Sequence, residues 1–379
     1  MNSTTATAAT GLFLFSLMPV ASVTAQTFPT KKVQLDVETL ADGLNSPWAV
    51  EALPDGGMIV TERTGQLRIV RDGKKSEPVK GLPSVAVQGQ GGLLDVALAQ
   101  DFATSRAIFL TMSVAGEGGY GTAVVRGELS ADEKSLTDVK ELFRMNRFTT
   151  KGQHFGSRIA VANDGSLFFA IGDRGERDRA QDPKDHAGSV LHINADGTIP
   201  QSNPHRDGKT ALPEIWSFGH RNAQGITFDS ADQTLWTVEH GARGGDEINQ
   251  PQPGKNYGWP VITYGKDYSG ADIGRGTSAQ GYEQPAYYWD PSIAPGALAV
   301  YRGAMFPEWD GDILVAALKF QLLSRLERDE SGKILGEERM LEGEFGRLRD
   351  VTVAPDGSVL LLTDGEDGKL LRVSRVASD

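Results

Sequence analysis

Cysteine is absent from the 379 residues, and with it go disulfide scaffolds, thiolate nucleophiles, Cys-bound zinc and iron–sulfur clusters. Basic charge is short as well: 38 Lys and Arg against 50 Asp and Glu leave a formal charge of −12. Phosphate binding needs a clustered basic face, so no nucleic-acid partner is expected. The sequence contains no G-x-x-x-x-G-K-S/T loop, no strand–GxGxxG–helix unit, no H-E-x-x-H and no G-x-S-x-G elbow. P-loop chemistry, nicotinamide binding in a Rossmann fold and serine-hydrolase chemistry are thereby disfavoured. Histidine is scarce, with six in the chain, so an acid–base imidazole has to be sought among a handful.

Long apolar runs are confined to the N-terminus. Residues 11–21 (GLFLFSLMPVA) have the length of a signal-peptide core and are too short to cross a bilayer. Val23-Thr24-Ala25 follows as a small-residue cleavage site, which makes Gln26 the expected mature start, although no Lys or Arg precedes the run. The expectation is a signal peptide over residues 1–25, a periplasmic or secreted location, and no membrane span.

What is present is a repeat. An Asp-Gly or similar Asx turn followed by an alternating apolar strand occurs as PDGGMIVTERTGQLRIV from Pro54 and QDFATSRAIFLTMS from Gln100. It returns as NDGSLFFAIGDRG from Asn163, DSADQTLWTVEHG from Asp229, WDGDILVAALKFQLLSRL from Trp309 and PDGSVLLLTDGEDGKLLRV from Pro355. Six copies, roughly 45 to 80 residues apart, have the spacing of propeller blades with insertions. The segments between them are rich in Gly, Pro, Asp and Asn, with no long amphipathic helix. The pattern predicts an all-β, six-bladed β-propeller of four-stranded antiparallel blades, one domain over residues 26–379. A large β-sandwich is the runner-up, but it leaves the long-period repeat unexplained.

Propellers place ligands where loops converge on the central channel, so polar residues directly before or after the signature strands are the candidates. The stretch from Glu214 to Pro260 is the densest, with GHRN at one end of a strand and EHGARGGDEIN at the other. Elsewhere the same rule collects Gln90 in GQGG, His154 in KGQHFGSRIA, Asp173 in IGDRG, Lys319, and Arg347 and Arg349 in FGRLRD. Arg221, Lys319, Arg347 and Arg349 would place four cations around one channel, which implies an anionic ligand. Forked Arg hydrogen bonds suit carboxylate or phosphate. The alternative is that each pairs with a nearby acid, as Arg221 with Glu247. His154 is the candidate general base, with Asp173 as the carboxylate that orients it. His220 and His240 are expected to line the pocket, and His186, His192 and His205 are set aside in a loop-like stretch. The oxygen-rich segment EHGARGGDEINQPQPGKNYGWP suits calcium, although it is not an EF-hand.

Taken together, GHRNAQGI, GDEIN followed by NYGWP, and RLRDVTVAPDG resemble the soluble pyrroloquinoline quinone (PQQ)-dependent sugar dehydrogenases, in particular the aldose sugar dehydrogenase branch of the glucose/sorbosone dehydrogenase family. The likeness runs from about Leu44 to Arg372. It implies that PQQ lies across the channel mouth and that His154 takes the proton from a sugar's anomeric hydroxyl. The anomeric hydrogen then leaves as hydride to the quinone, giving a lactone. In the same resemblance Asp173 supports His154, while Gln90, Arg221, Asn222, Lys319, Arg347 and Arg349 match cofactor-binding positions, with Tyr268 and Ser292 as looser matches. Backbone oxygens at Gly241 and Ala242 match a calcium site, and Glu247 and Tyr257 match a further one. Ala242 stands where the glucose-specific branch has proline. The competing readings are a calcium-dependent propeller hydrolase of lactonase type and a propeller that binds a sugar or protein without catalysis. The preferred sugar, the electron acceptor, and the choice between monomer and homodimer are not written in these residues.

Overall fold

Each copy of the repeat supplies the turn into the second strand of a blade, and that strand itself. In the first, third and sixth copies the turn is closed the same way, by an Asp side chain accepting the amide two residues on across a glycine. Asp55 accepts from Gly57 at 3.4 Å, Asp164 from Ser166 at 2.9 Å and Asp356 from Ser358 at 3.0 Å. The intervening Gly165 and Gly357 take φ of +81° and +82°, a conformation open to glycine at little cost. In the second copy the connection is instead a helical turn, Phe102–Ser105, where the Ser105 hydroxyl bonds Asp101 at 2.9 Å.

The computed structural model of the chain describes residues 26–376, and the expected signal peptide lies outside them. Six antiparallel sheets follow one another. Blade 1 comprises Pro47–Ala52, Met58–Glu62, Gln66–Arg71 and Lys74–Lys75. Blade 2 comprises Leu93–Leu98, Ala107–Gly116, Gly119–Leu129 and Leu136–Arg144, and blade 3 Ile159–Val161, Leu167–Ile171, Ser189–Ile193 and Ile215–Phe218. Blade 4 is built from Ala223–Asp229, Thr234–Glu239, Asp246–Asn249 and Tyr287–Trp289, and blade 5 from Pro295–Val300, Ile313–Ala317, Leu322–Arg328 and Ile334–Met340. Blade 6 takes Leu348–Val353, Val359–Thr363 and Gly368–Arg375 from the C-terminal end. Its outer strand, Gln34–Leu44, comes from the N-terminal end, with Gln26–Pro29 added at the edge. Leu35 faces Arg375 and Val37 faces Val373 across that seam, so the two ends of the chain close the ring. The first strand of each blade touches the first strand of the next, and the sixth touches the first.

The signature strands are less alternating than expected. Leu167–Ile171, Ile313–Ala317 and Val359–Thr363 are buried along their whole length, because a neighbouring blade covers each face. Six apolar clusters result, one in every wedge between adjacent blades. His192 likewise sits in the third strand of blade 3 rather than in a loop, bonded to Asn203 at 2.7 Å and Ser166 at 2.8 Å. Among the described residues, helix is limited to Phe102–Ser105 and two short 3-10 turns, and no helix is long and apolar enough to cross a membrane.

At the axis sits Arg158, from the start of blade 3. Its guanidinium reaches Asp95 of blade 2 at 3.1 Å and Asp350 of blade 6 at 2.9 Å. It also bonds the carbonyls of Trp48, Gln224, Gly296 and Arg349 at 2.9–3.3 Å. One side chain thus ties all six blades together and divides the channel. The segments that enter first strands and leave second strands all open at one end of that channel.

Candidate active site

His154 lies in the segment entering blade 3, at a φ of +54°. Its amide donates to Gln90 Oε1 at 2.8 Å, and its Nδ1 is 2.6 Å from Asp173 Oδ1. Asp173 leaves the second strand of the same blade and is 2% exposed. Its Oδ1 also accepts the Gly175 amide at 2.7 Å, and its Oδ2 accepts Trp259 Nε1–H at 2.9 Å. Burial opposes a charge on Asp173, but the His154 contact, the Gly175 amide and the Arg221 charge outweigh it and hold the carboxyl below the usual range. An ionised Asp173 accepts a hydrogen bond from His154 Nδ1–H and so leaves the lone pair on Nε2.

The cations expected at the mouth are there, and they are not equally neutralised. Arg221, 7% exposed, donates through Nη1 to the carbonyls of His240, at 3.1 Å, and of Gly241. Its guanidinium lies 5.2 Å from the Trp259 ring centroid, and its buried Nε has no partner. Among the described residues no carboxylate pairs with Arg221, so the alternative in which Glu247 neutralises it is not realised. Lys319 also forms no ion pair among the described residues, its Nζ lying 5.2 Å from the Phe320 ring centroid. Arg347 and Arg349 do meet an acid, but they share Asp364, at 3.0 and 3.4 Å. Burial tends to raise Asp364, and the charges of Arg349 and Arg347 bring it below the ordinary carboxylate range. Among the described residues these four cations have one carboxylate partner between them, Asp364.

A cavity of about 300 Å³, lined by Gln90, Asn222, Arg347 and Arg349, meets an outer one of about 790 Å³, lined by Gly241, Ala242, Tyr268, Ser292 and Lys319. His240 and Ala294 border both. Asn222 is fixed through Oδ1, which accepts the Gly156 amide and Gln224 Nε2–H, each at 3.3 Å. Ser292 gives its hydroxyl hydrogen to Asp246 at 2.7 Å, which leaves its oxygen only as an acceptor. Tyr268 is 72% exposed on the rim. His240 donates Nε2–H to the Pro295 carbonyl at 2.7 Å. Burial, aided by Arg221 and Arg349 and opposed by Asp246, pushes it down to about 4, so it lines the pocket as a neutral ring.

Behind this wall lies the acidic loop. Asp246 is fully buried and fixes the Gly241 amide at 2.9 Å and the Ala294 amide at 2.9 Å. Glu239 and Glu247 share the Asn249 amide group, at 3.0 and 3.3 Å. Burial, then the charge of Glu239, pushes Glu247 up to about 8. A small cavity of about 10 Å³ is bounded by Glu239, Glu247, Gly241, Gly245 and Tyr257, room for one water or ion. The Tyr257 hydroxyl is committed to the Gln250 carbonyl at 2.5 Å, so only its backbone oxygen is available to that cavity. Among the described residues no three His, Asp or Glu side chains converge as a metal cluster. Any ion here depends on backbone oxygens.

A family model described as Glucose / Sorbosone dehydrogenase matches residues 44–372. The chain belongs to that family. It is 43% identical to the aldose sugar dehydrogenase YliI of Escherichia coli over 347 residues, 90% of this chain and 93% of that protein. The apo-form crystal structure of the soluble aldose sugar dehydrogenase from Escherichia coli superposes with a TM-score of 0.86 at 42% identity, covering 90% of this chain and 100% of that one. The PQQ-bound aldose sugar dehydrogenase of Streptomyces coelicolor superposes at 0.75 with 28% identity, covering 92% and 99%. The glucose/sorbosone dehydrogenase assignment agrees with the resemblance carried by the motifs.

Within this member of the glucose/sorbosone dehydrogenase family, several pocket residues escape a motif reading. Arg63 and Asp364 line the inner cavity. Both stand directly after a second strand, the place His240 holds in blade 4, with Asp173 and Lys319 one residue further on in blades 3 and 5, so the strand-end rule applied to all six blades finds them. Trp259 carries the Asp173 bond and stacks on Arg221, and nothing local to NYGWP reveals either partner.

Proposed function

We propose that the protein is a PQQ- and calcium-dependent dehydrogenase that oxidises aldose sugars at the anomeric carbon to lactones, acting after export to the periplasm. The carrying observation is the unbalanced charge at the channel mouth. A guanidinium buried without a counter-ion is costly, and a ligand bearing several carboxylates relieves that cost at Arg221 while pairing with the more exposed Lys319, Arg347 and Arg349. A hydrolase reading provides no such counter-charge.

The residues fit the cofactor and the ion. Arg221, Asn222, Lys319, Arg347, Arg349 and Gln90 would hold PQQ, with Tyr268 and Ser292 at its outer edge. The Ala242 carbonyl accepts no hydrogen bond among the described residues and would hold calcium together with Gly241. Glu247, raised by burial beside Glu239 and lacking a cationic partner among the described residues, suits a second ion with the Tyr257 carbonyl. PQQ, when bound, supplies the acceptor for the two electrons leaving the sugar. His154 Nε2 accepts the proton of the anomeric hydroxyl, and Asp173 holds the Nδ1 proton and stabilises the imidazolium that forms. Trp259 and Gly175 keep that carboxylate ionised and aimed. Arg158 fixes the pocket floor, and neutral His240 adds no charge beside the cations.

The test is a dye-reduction assay on purified apoprotein with a panel of aldoses, adding PQQ and calcium separately and then together. The expected result is activity only with both. The absence of both PQQ binding and dye reduction with every aldose tested overturns the proposal.

A further inference from the structure

Five arginines are buried among the described residues: Arg158, Arg174, Arg179, Arg221 and Arg325. Three of them lie against carboxylates: Arg158 on Asp95 and Asp350, Arg179 on Asp185, and Arg325 on Asp312 and Glu338. Arg221 faces the proposed cofactor. Arg174 has neither. It is fully buried, and its Nε has no partner. Burial, with Arg179 nearby, pushes its guanidinium down to about 9. A neutral side chain would fill that space at less cost, so the position calls for an explanation beyond folding.

Its contacts supply one. Arg174 Nη1 donates to the Gln153 carbonyl and Nη2 to the Lys151 carbonyl at 3.1 Å, while the guanidinium lies 3.4 Å from the Phe155 ring centroid. These three residues bracket His154, whose own φ of +54° is left-handed. The preceding residue, Asp173, grips the His154 ring. Two successive residues therefore hold the same histidine, one by its imidazole and one by the backbone on either side. The planar fork reaches two carbonyls through its two Nη atoms and lays its face on the Phe155 ring, which an ammonium cannot do.

We propose that Arg174 is a positioning residue for His154: it fixes the backbone of residues 151–155 so that Nε2 meets the sugar hydroxyl while Nδ1 stays on Asp173. The inference rests on the proposed role of His154 as base. A misplacement of about 1 Å at a reacting group costs about 100-fold in rate, and a flexible Met in place of Arg174 allows part of that.

The experiment is a double-mutant cycle on PQQ- and calcium-loaded enzyme, with a second readout on the apoprotein. Arg174→Met is expected to lower kcat by about 10- to 100-fold with PQQ affinity changed less than about twofold, and to have less than a twofold effect in a His154→Ala background. Arg174→Lys keeps the charge but not the fork, and is expected to lose about 3- to 10-fold. In apoprotein NMR, the downfield proton of the His154 Nδ1–H bond, absent in Asp173→Asn, should shift or exchange away in Arg174→Met and in Arg174→Lys. Equal losses of kcat in both backgrounds, or an unaltered Nδ1–H resonance, overturn the inference alone. Full activity in His154→Ala overturns the base assignment and this inference with it.

Discussion

Arg221→Met separates a residue built for a ligand from one built for the fold. In the apoprotein the substitution removes two hydrogen bonds to carbonyls, about 0.5–1.5 kcal/mol each, and a cation–π contact of about 0.5–1 kcal/mol. Against this it relieves a buried charge that has no carboxylate and an orphaned Nε, about 1–3 kcal/mol for the unmade bond alone. These terms leave the apoprotein within about 1 kcal/mol of the parent. Binding of PQQ, by contrast, loses a charge-assisted bond of about 1.5–3 kcal/mol, which is about 10- to 150-fold in Kd. Arg325→Met should do the reverse. That guanidinium is held by Asp312 and by Glu338 at 2.7 Å, so removing it strands two buried acids and costs about 3–5 kcal/mol of stability with PQQ affinity unchanged. Thermal melts of both apoproteins, and titration of PQQ at fixed calcium followed by tryptophan fluorescence, read the two quantities. If Arg221→Met melts like Arg325→Met while PQQ affinity holds, the unpaired guanidinium is structural and the argument from charge fails.

Asp173→Asn keeps the shape of the site but no longer fixes the proton on His154 Nδ1, and kcat should fall by about 100- to 10,000-fold with PQQ affinity little changed; steady-state kinetics beside a PQQ titration checks it. Glu51 lines the inner channel, and burial followed by the charges of Asp95 and Asp350 pushes it up to about 8 from 4.5. The folded chain therefore holds a proton there that the unfolded chain releases, and stability falls as pH rises from about 4.5 to about 8. Glu51→Gln should match the parent melting temperature at pH ~5 and exceed it at pH ~9; a gain that is the same at both pH values refutes the assignment. Leu35, fully buried in the seam between the chain ends, should cost about 2–5 kcal/mol on change to Ala, with the first new proteolytic cuts falling in Gln34–Leu44.

The phase of the repeat was legible because its cause is local. An Asp accepting an amide two residues on, with glycine between, needs no tertiary partner, so PDG and NDG mark the entry to a second strand wherever they stand. The strand-end rule was legible for the same reason, and it led to His154, Asp173, Lys319, Arg347 and Arg349. What it could not yield was pairing. The closing strand Gln34–Leu44 has partners more than 300 residues away, and Arg158 is unremarkable in FGSRIA although it bonds five other blades. Nor does a net charge of −12 describe how charge is placed along the axis. On one side of Arg158 the inner channel gathers Glu51, Asp95 and Asp350; on the other the mouth gathers Arg221, Lys319, Arg347 and Arg349 with Asp364. Low-dielectric walls focus the field of the mouth. An anion is drawn to the mouth by the cations, and Arg158, held by Asp95 and Asp350, closes the channel behind it. The same residue that joins the six blades therefore also floors the mouth where the proposed cofactor would rest.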